Sequence, residues 1–167
     1  MAELSLQERL QPSLLDRLTD NEPDSKVESS AQRVLSINRL RRCVLRDLEW
    51  LLNSECMSIT EDLSKFPEVT SSVLNFGVPG LSGMSLSSTD IHRVEGEIRQ
   101  AILDFEPRII AKSLSVKIVQ DKVEVGHNTL RFQIEGQLWA QPLPVSLYLS
   151  TDLDVETGHT TINESTS

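Results

Sequence analysis

Cysteine is scarce in this chain: Cys43 and Cys56 are the whole supply. Two thiols at that separation make neither a disulfide framework nor a metal-ligand cluster, so the expectation is a reduced, cytosolic protein with both thiols free. Aromatic residues make up 4% and apolar residues 38%. So few large side chains predict one small domain with polar flanks, not the deep interior of a large enzyme. Positive charge is also short, with 16 Lys and Arg against 25 Asp and Glu, for a net charge of −9. That balance excludes a general nucleic-acid binder, which needs basic side chains to displace phosphate counterions, and it excludes adsorption to anionic lipid. It favours solubility by self-repulsion and a basic partner. No apolar run reaches the roughly 18 residues of a membrane span. The opening MAELSLQERL lacks both the basic start and the apolar segment of a signal peptide.

Catalytic constellations are missing too. His92, His127 and His159 stand far apart with no ligand spacing, and they read as surface histidines. Gly80-Leu81-Ser82-Gly83 lacks the spacing of a nucleophile elbow, and no glycine-rich phosphate loop follows a strand. Glu95, Glu97, Asp104 and Glu106 run along one helix and its end, whereas glycoside hydrolysis needs two carboxyls across a cleft. The expectation is no catalytic residue, no metal and no cofactor.

What is present is periodicity. Residues 1–30 read as an N-terminal arm and linker. Leu10, Leu14, Leu15 and Leu18 make a short helical patch with Pro12 in its first turn, and TDNEPDSKVESS follows as a polar tether. Such a patch either packs back on its own domain or docks on a partner. Residues 31–53 predict the strongest helix. Val34, Ile37, Leu40, Val44, Leu48 and Leu51 form its stripe, Leu45 and Leu52 widen it, and Ser29 or Ser30 caps it. Arg33, Arg39, Arg41, Arg42 and Arg46 line the other face, either as a solvated face paired locally with Asp47 and Glu49 or as a docking surface. Trp50 lies on the flank.

Residues 54–87 carry no long period. Val69, Val73 and Leu74 suggest one or two helical turns. Asn75 to Gly80 reads as an ordered turn in which Gly77 and Gly80 allow special backbone angles and Phe76 and Val78 anchor. A second helix is expected over 88–105, with Ile91, Val94, Ile98, Ala101, Ile102 and Phe105 as its stripe, caps from Ser87, Ser88 or Thr89, and Gly96 allowing close packing. Pro107 ends or kinks it near Glu106. From Ser113 the period becomes two, through Val116 and Ile118, then Leu130 to Leu138, then Val145 to Leu149, with a last strand from Thr160 to Ile162. The tip at Gly126-His127-Asn128 and the breaks at Pro142 and Pro144 separate the strands. The predicted class is α+β: two main amphipathic helices packed on one face of a small antiparallel β-meander, with a mobile N-terminal arm. Residues 31–163 form the domain and 164–167 a C-terminal tail. With one face covered, at least one sheet edge is expected to stay open to strand addition.

Several segments, in order, resemble the gp25-like baseplate wedge family of contractile tails, including its type VI secretion branch. They are Ser13 to Leu18, Leu45 to Asn53, Phe66-Pro67-Glu68-Val69, Ser72 to Gly77, Glu106-Pro107-Arg108, Leu130 to Gly136 and Leu153 to Gly158. The resemblance implies a structural subunit, cytoplasmic and recruited to a baseplate at the inner membrane. It implies wedge partners TssF, TssG and TssK, and sheath subunits TssB and TssC joined by strand addition. It also implies partner-binding roles for the triplet Glu106, Pro107 and Arg108 and for Leu14, Leu15, Asp16, Arg17 and Leu18. Glu106 and Arg108 either lock helix to sheet internally or meet a partner. The same superfamily includes anti-adaptors that bind a response-regulator adaptor, the alternative implied function.

Overall fold

The computed structural model describes residues 13–19, 37–80, 88–119, 129–140, 144–154 and 156–164. Among the described residues the α-helices and strands follow one another as α1 (Leu14–Leu18), α2 (Ile37–Leu52), α3 (Pro67–Thr70), α4 (Ser88–Phe105), β1 (Ser115–Val119), β2 (Thr129–Leu138), β3 (Val145–Asp154) and β4 (Thr160–Glu164), with short 3-10 turns between them. Helices come first and the sheet second, as the change of period predicts. Leu10, Pro12, the polar tether beyond Thr19, Arg33, Val34, the caps Ser29, Ser30 and Ser87, the tip at 126–128 and Pro142 lie outside the described residues.

The two long helices bury the stripes their spacing prescribes. Leu40, Val44, Leu48, Leu51 and Leu52 of α2 meet Val94, Ile98, Ala101 and Ile102 of α4 in one core. Ile37, at the start of the stripe, is exposed instead. Gly96 does not serve close packing: a Cβ there would meet nothing within 4 Å.

The sheet is antiparallel in the order β1-β2-β3-β4. Val116 pairs with Ile134, which pairs with Leu149, so alternate side chains of three strands point to one face. Phe132, Ile134, Leu138, Leu147, Leu149 and Leu153 are completely buried there under the helices. Each contributes roughly 1.5–3 kcal/mol of transfer free energy. The opposite face is polar, with Gln133, Gln137, Ser146 and Tyr148 exposed, and Arg131 pairs across it with Asp152 at 2.7 Å. Asp154 accepts from the backbone N–H groups of Glu156 and Thr157 and so shapes the β3–β4 turn. Gly158 completes the turn at φ 74°. β4 runs on to Glu164, two residues beyond the expected strand.

The segment between α2 and α4 is ordered by its own bonds. Val78 N–H donates to Ser54 O at 2.9 Å and Cys56 N–H to Val78 O at 3.1 Å, a short parallel bridge. Asn75 is buried, accepts from Ser58 N–H and donates to Thr70 O. Phe76 stacks edge to face on Phe105, ring centroids 5.3 Å apart. Gly77 adopts φ 134°, and a Cβ there would sit 2.5 Å from Ser54 O. Gly77→Ala is therefore expected to destabilise the domain by about 1–3 kcal/mol from backbone strain alone, read as a lower midpoint in urea unfolding. Gly80→Ala, where a Cβ finds ordinary contacts, is expected to leave that midpoint in place.

Candidate functional site

The arm motif and the proline triplet are distant in sequence, and one chain of charges joins them. α1 begins at Ser13, whose hydroxyl donates to Asp16 at 2.6 Å, and ends with the Thr19 hydroxyl donating to Leu15 O. Five residues do not hold a helix in water, so α1 depends on tertiary contact. Asp16 provides it: Arg46 Nη1 of α2 donates to Asp16 Oδ1 at 2.7 Å. Arg46 also holds Asp47 through Nε and Nη2 at 2.9 and 2.7 Å, and its guanidinium lies 5.1 Å from the ring centroid of Trp50. Asp47 in turn accepts from Arg108 Nη2 at 2.6 Å. Arg108 closes the series on Glu106, Nε to Oε1 at 2.6 Å with a second bond from Nη2 to Oε2.

The triplet is a corner. The Glu106 N–H makes the last helical bond of α4 to Ile102 O, and Ile109 N–H returns to Glu106 O. Pro107 sits at the second position of that turn, where its fixed φ suits the backbone. Trp139 N–H then donates to Arg108 O and Ile110 N–H to Gln137 O, which ties the corner to the end of β2. Glu106 is 3% exposed, and Arg108 lies beside it partly screened from water. Glu106 and Arg108 therefore pair with each other inside the corner. Arg108 Nη1 is buried and meets no acceptor among the described residues.

The charges respond to these neighbours. Burial opposes ionisation of Asp16, but the hydrogen bonds from Arg46, Ser13 and Cys43 and the attraction of Arg46 outweigh it and hold the carboxyl at about 2. Burial opposes the charge of Arg108 as well, and Glu106 and Asp47 overcome it and push its pKa up. Burial and the adjacent Asp16 raise the Cys43 thiol, which keeps it protonated and inert. A carboxyl depressed in the docked state contributes tethering that is complete above its ordinary value of 3.8 and is lost as pH falls towards about 2. The gap corresponds to about 2 kcal/mol. Acid titration of Trp50 fluorescence is expected to show a transition between about pH 4 and pH 2 that Asp16→Asn removes.

The leucines do not anchor the arm. Leu14 and Leu18 are 71% and 75% exposed and Leu15 is exposed as well, while Asp16 is buried. The Arg17 side chain lies outside the described residues. The arginine face of α2 is not simply solvated: Arg41 pairs with Glu164 at 3.1 Å and Arg46 holds two carboxylates. Asp47 reaches Arg108 as well as its neighbour Arg46. Arg46 and Asp47 are the residues that sequence reasoning placed on a face without giving them this role. The signal is an Arg-Asp pair beside a Trp in an arginine-rich helix.

The carboxylates weighed as a glycosidase pair are occupied. Glu95 accepts from Ile118 N–H, Glu97 pairs with Arg93, Asp104 accepts from Gln100, and Glu106 is held by Arg108. A separate cavity of about 310 Å³ lies between the end of α2, residues 78–80 and the β3–β4 turn, lined by Glu55 and His159 among others. It contains none of the network residues. Among the described residues no helix is long and apolar enough to cross a membrane and no cluster of ligands fits a metal ion.

The family described as baseplate wedge protein gp25 matches residues 38–143, which run from α2 through the triplet and past the end of β2 and include Arg46 and Asp47. Among curated proteins none matches the chain. Among solved structures it is similar to a Geobacter sulfurreducens protein provisionally named a tail lysozyme. The identity is 17%, over 86% of this chain and all of that one, with a TM-score of 0.44. The family match spans well over half of the sequence, and the chain belongs to the gp25 baseplate wedge protein family.

Proposed function

We propose that this protein is the TssE-type subunit of a type VI secretion baseplate, a structural part without catalysis. It links a TssF–TssG wedge core, with TssK nearby, to the contractile sheath, and it starts sheath assembly by accepting strands from TssB and TssC. It works in the cytoplasm, at a baseplate recruited to the inner membrane. The observation that carries the reading is the continuous series Asp16–Arg46–Asp47–Arg108–Glu106. It holds a helix with three outward leucines in fixed relation to the helix–sheet corner, which suits a docking part that must present two elements to one partner.

The state of Glu106 supports the non-catalytic side of the reading. A general acid needs a path to substrate, whereas the Glu106 side chain is buried and gripped by a guanidinium. Sheath formation tests the proposal. In cells of a type VI-competent host with its own TssE gene deleted, fluorescent TssB is expected to form sheaths only when this chain is supplied. Sheaths of equal number without it would remove the proposed role.

A further inference from the structure

The cavity beside the end of α2 stands apart from the charged series of the corner. It has a volume of about 310 Å³ and is walled by residues 52–55, 78–80 and 157–159. Bonds outside the cavity fix each wall. Asn53 accepts from Thr160 N–H and donates to Thr160 O, both at 2.9 Å, which ties the end of α2 to β4. The short parallel bridge to Ser54 and Cys56 holds Val78, and the Asp154 carboxylate shapes the β3–β4 turn. A space of this size lies at the bottom of the roughly 300–1,000 Å³ range of small-ligand sites. It suits a single side chain better than a cofactor.

The electrostatics of this space have one sign. Among the described residues the lining holds one carboxylate, Glu55, and no lysine or arginine. Glu55 makes no ion pair or side-chain hydrogen bond with any described residue. Its Oε1 lies 3.8 Å from where a Cβ of residue 80 would stand, which sets the carboxylate against the neighbouring wall. The cavity also lies at the C-terminal end of α2, a 16-residue helix, and such an end carries about half a negative charge. No basic residue stands in the last turn of α2 to neutralise it. Asn53 N–H, Ser54 N–H and the Ser54 hydroxyl serve the carbonyls of Glu49, Leu51 and Trp50, while Leu52 O has no donor among the described residues.

We infer that this cavity receives the end of an arginine side chain from a basic partner protein. An unpaired carboxylate and an unneutralised helix end within one small space select a cation. A guanidinium meets a carboxylate with two parallel bonds and has further N–H groups for a carbonyl such as Leu52 O. His159 adds an aromatic ring to the lining, and a guanidinium stacks on such rings where an ammonium does not. Leu52, Val78 and Pro79 supply apolar wall for the methylene stem. A divalent metal needs several oxygen ligands at once, and among the described residues no cluster provides them. The net charge of −9 draws a basic chain and repels a second copy of this one.

Amide NMR spectra of the isotope-labelled full chain, titrated with N-acetyl-arginine amide as probe, test this. Saturable shifts are expected at Asn53, Glu55, Gly80 and Gly158, with the amides of β1 unmoved. Glu55→Gln is expected to weaken the probe about fivefold. The thermal midpoint should stay in place, because the side chain holds nothing in the fold. N-acetyl-lysine amide is expected to bind more weakly than the arginine probe, and N-acetyl-glutamine amide to give no saturable shift. No saturable shift at the cavity with the arginine probe overturns the inference. Shifts that persist unchanged in Glu55→Gln, or that the glutamine probe reproduces, overturn the cation reading. Lysine binding as tight as arginine overturns the choice of guanidinium. Spermidine binding at the same amides at least about tenfold tighter than the arginine probe assigns the cavity to a free small cation and overturns the partner as its source.

Discussion

Arg108→Ala is expected to lower the free energy of unfolding by about 3–5 kcal/mol, the usual cost of stripping one partner from a buried ion pair. Glu106 then remains in a nearly water-free position with only the Arg108 backbone N–H, 3.1 Å away, as a donor. Asp47 loses its second guanidinium at the same stroke. Because the whole domain has of the order of 5–15 kcal/mol to lose, the change is a large share of its stability. Urea unfolding followed by circular dichroism measures it. Arg108→Lys is expected to restore only part, since an ammonium cannot make the two-pronged bond to Glu106 and still reach Asp47. Glu106→Ala acts less severely because Arg108 keeps Asp47 and is more exposed than Glu106. A loss below about 1 kcal/mol for Arg108→Ala would place the pair in the weak, solvent-screened class of surface bridges. It follows that assembly defects of triplet variants are interpretable only beside their stability.

Leu14→Ala combined with Leu18→Ala is expected to have the opposite signature. Both side chains are largely in water, so truncating them removes little from the fold. If α1 docks on the wedge core, each leucine fills a desolvated position in the complex and its loss costs about 1–2 kcal/mol. Together that is about 30-fold or more in affinity. Titration calorimetry against a TssF–TssG complex reads the affinity, and a thermal melt of the variant alone reads the fold. Unchanged affinity would mean that the leucines face solvent in the assembly as well. Asp16→Asn separates contact from presentation, because it leaves all three leucines in place and removes the charge that holds α1 to Arg46.

Much of the fold was legible because burial follows period. The stripes of α2 and α4 and the alternation of β2 and β3 are set by which residues must leave water, and that information is local. Pro107 was legible for the same reason, since its missing N–H ends α4 whatever surrounds it. The site was legible only in pieces. Asp16, Asp47 and Glu106 are each one acidic residue among many in an acidic chain, and nothing local says that Arg46 and Arg108 reach them. Those pairings depend on how α1, α2 and the α4–β2 corner are stacked. The leucine patch of α1 was visible, but its direction was not. A buried Asp16 turns the helix, and the charge overrides the ordinary rule that the apolar side faces in. Asn53 and Glu95 act as strand-edge caps only through contacts formed on folding, the first reaching Thr160 and the second Ile118.

The central claim is that α1 and the triplet corner form one docking surface of a wedge subunit. It is tested most directly by size-exclusion chromatography of the chain co-expressed with TssF and TssG, with the Leu14→Ala/Leu18→Ala variant beside it. The account predicts that the wild-type chain elutes with the TssF–TssG complex and that the variant elutes alone, with an unchanged circular dichroism spectrum. A wild-type chain that elutes alone beside an intact TssF–TssG complex would contradict it.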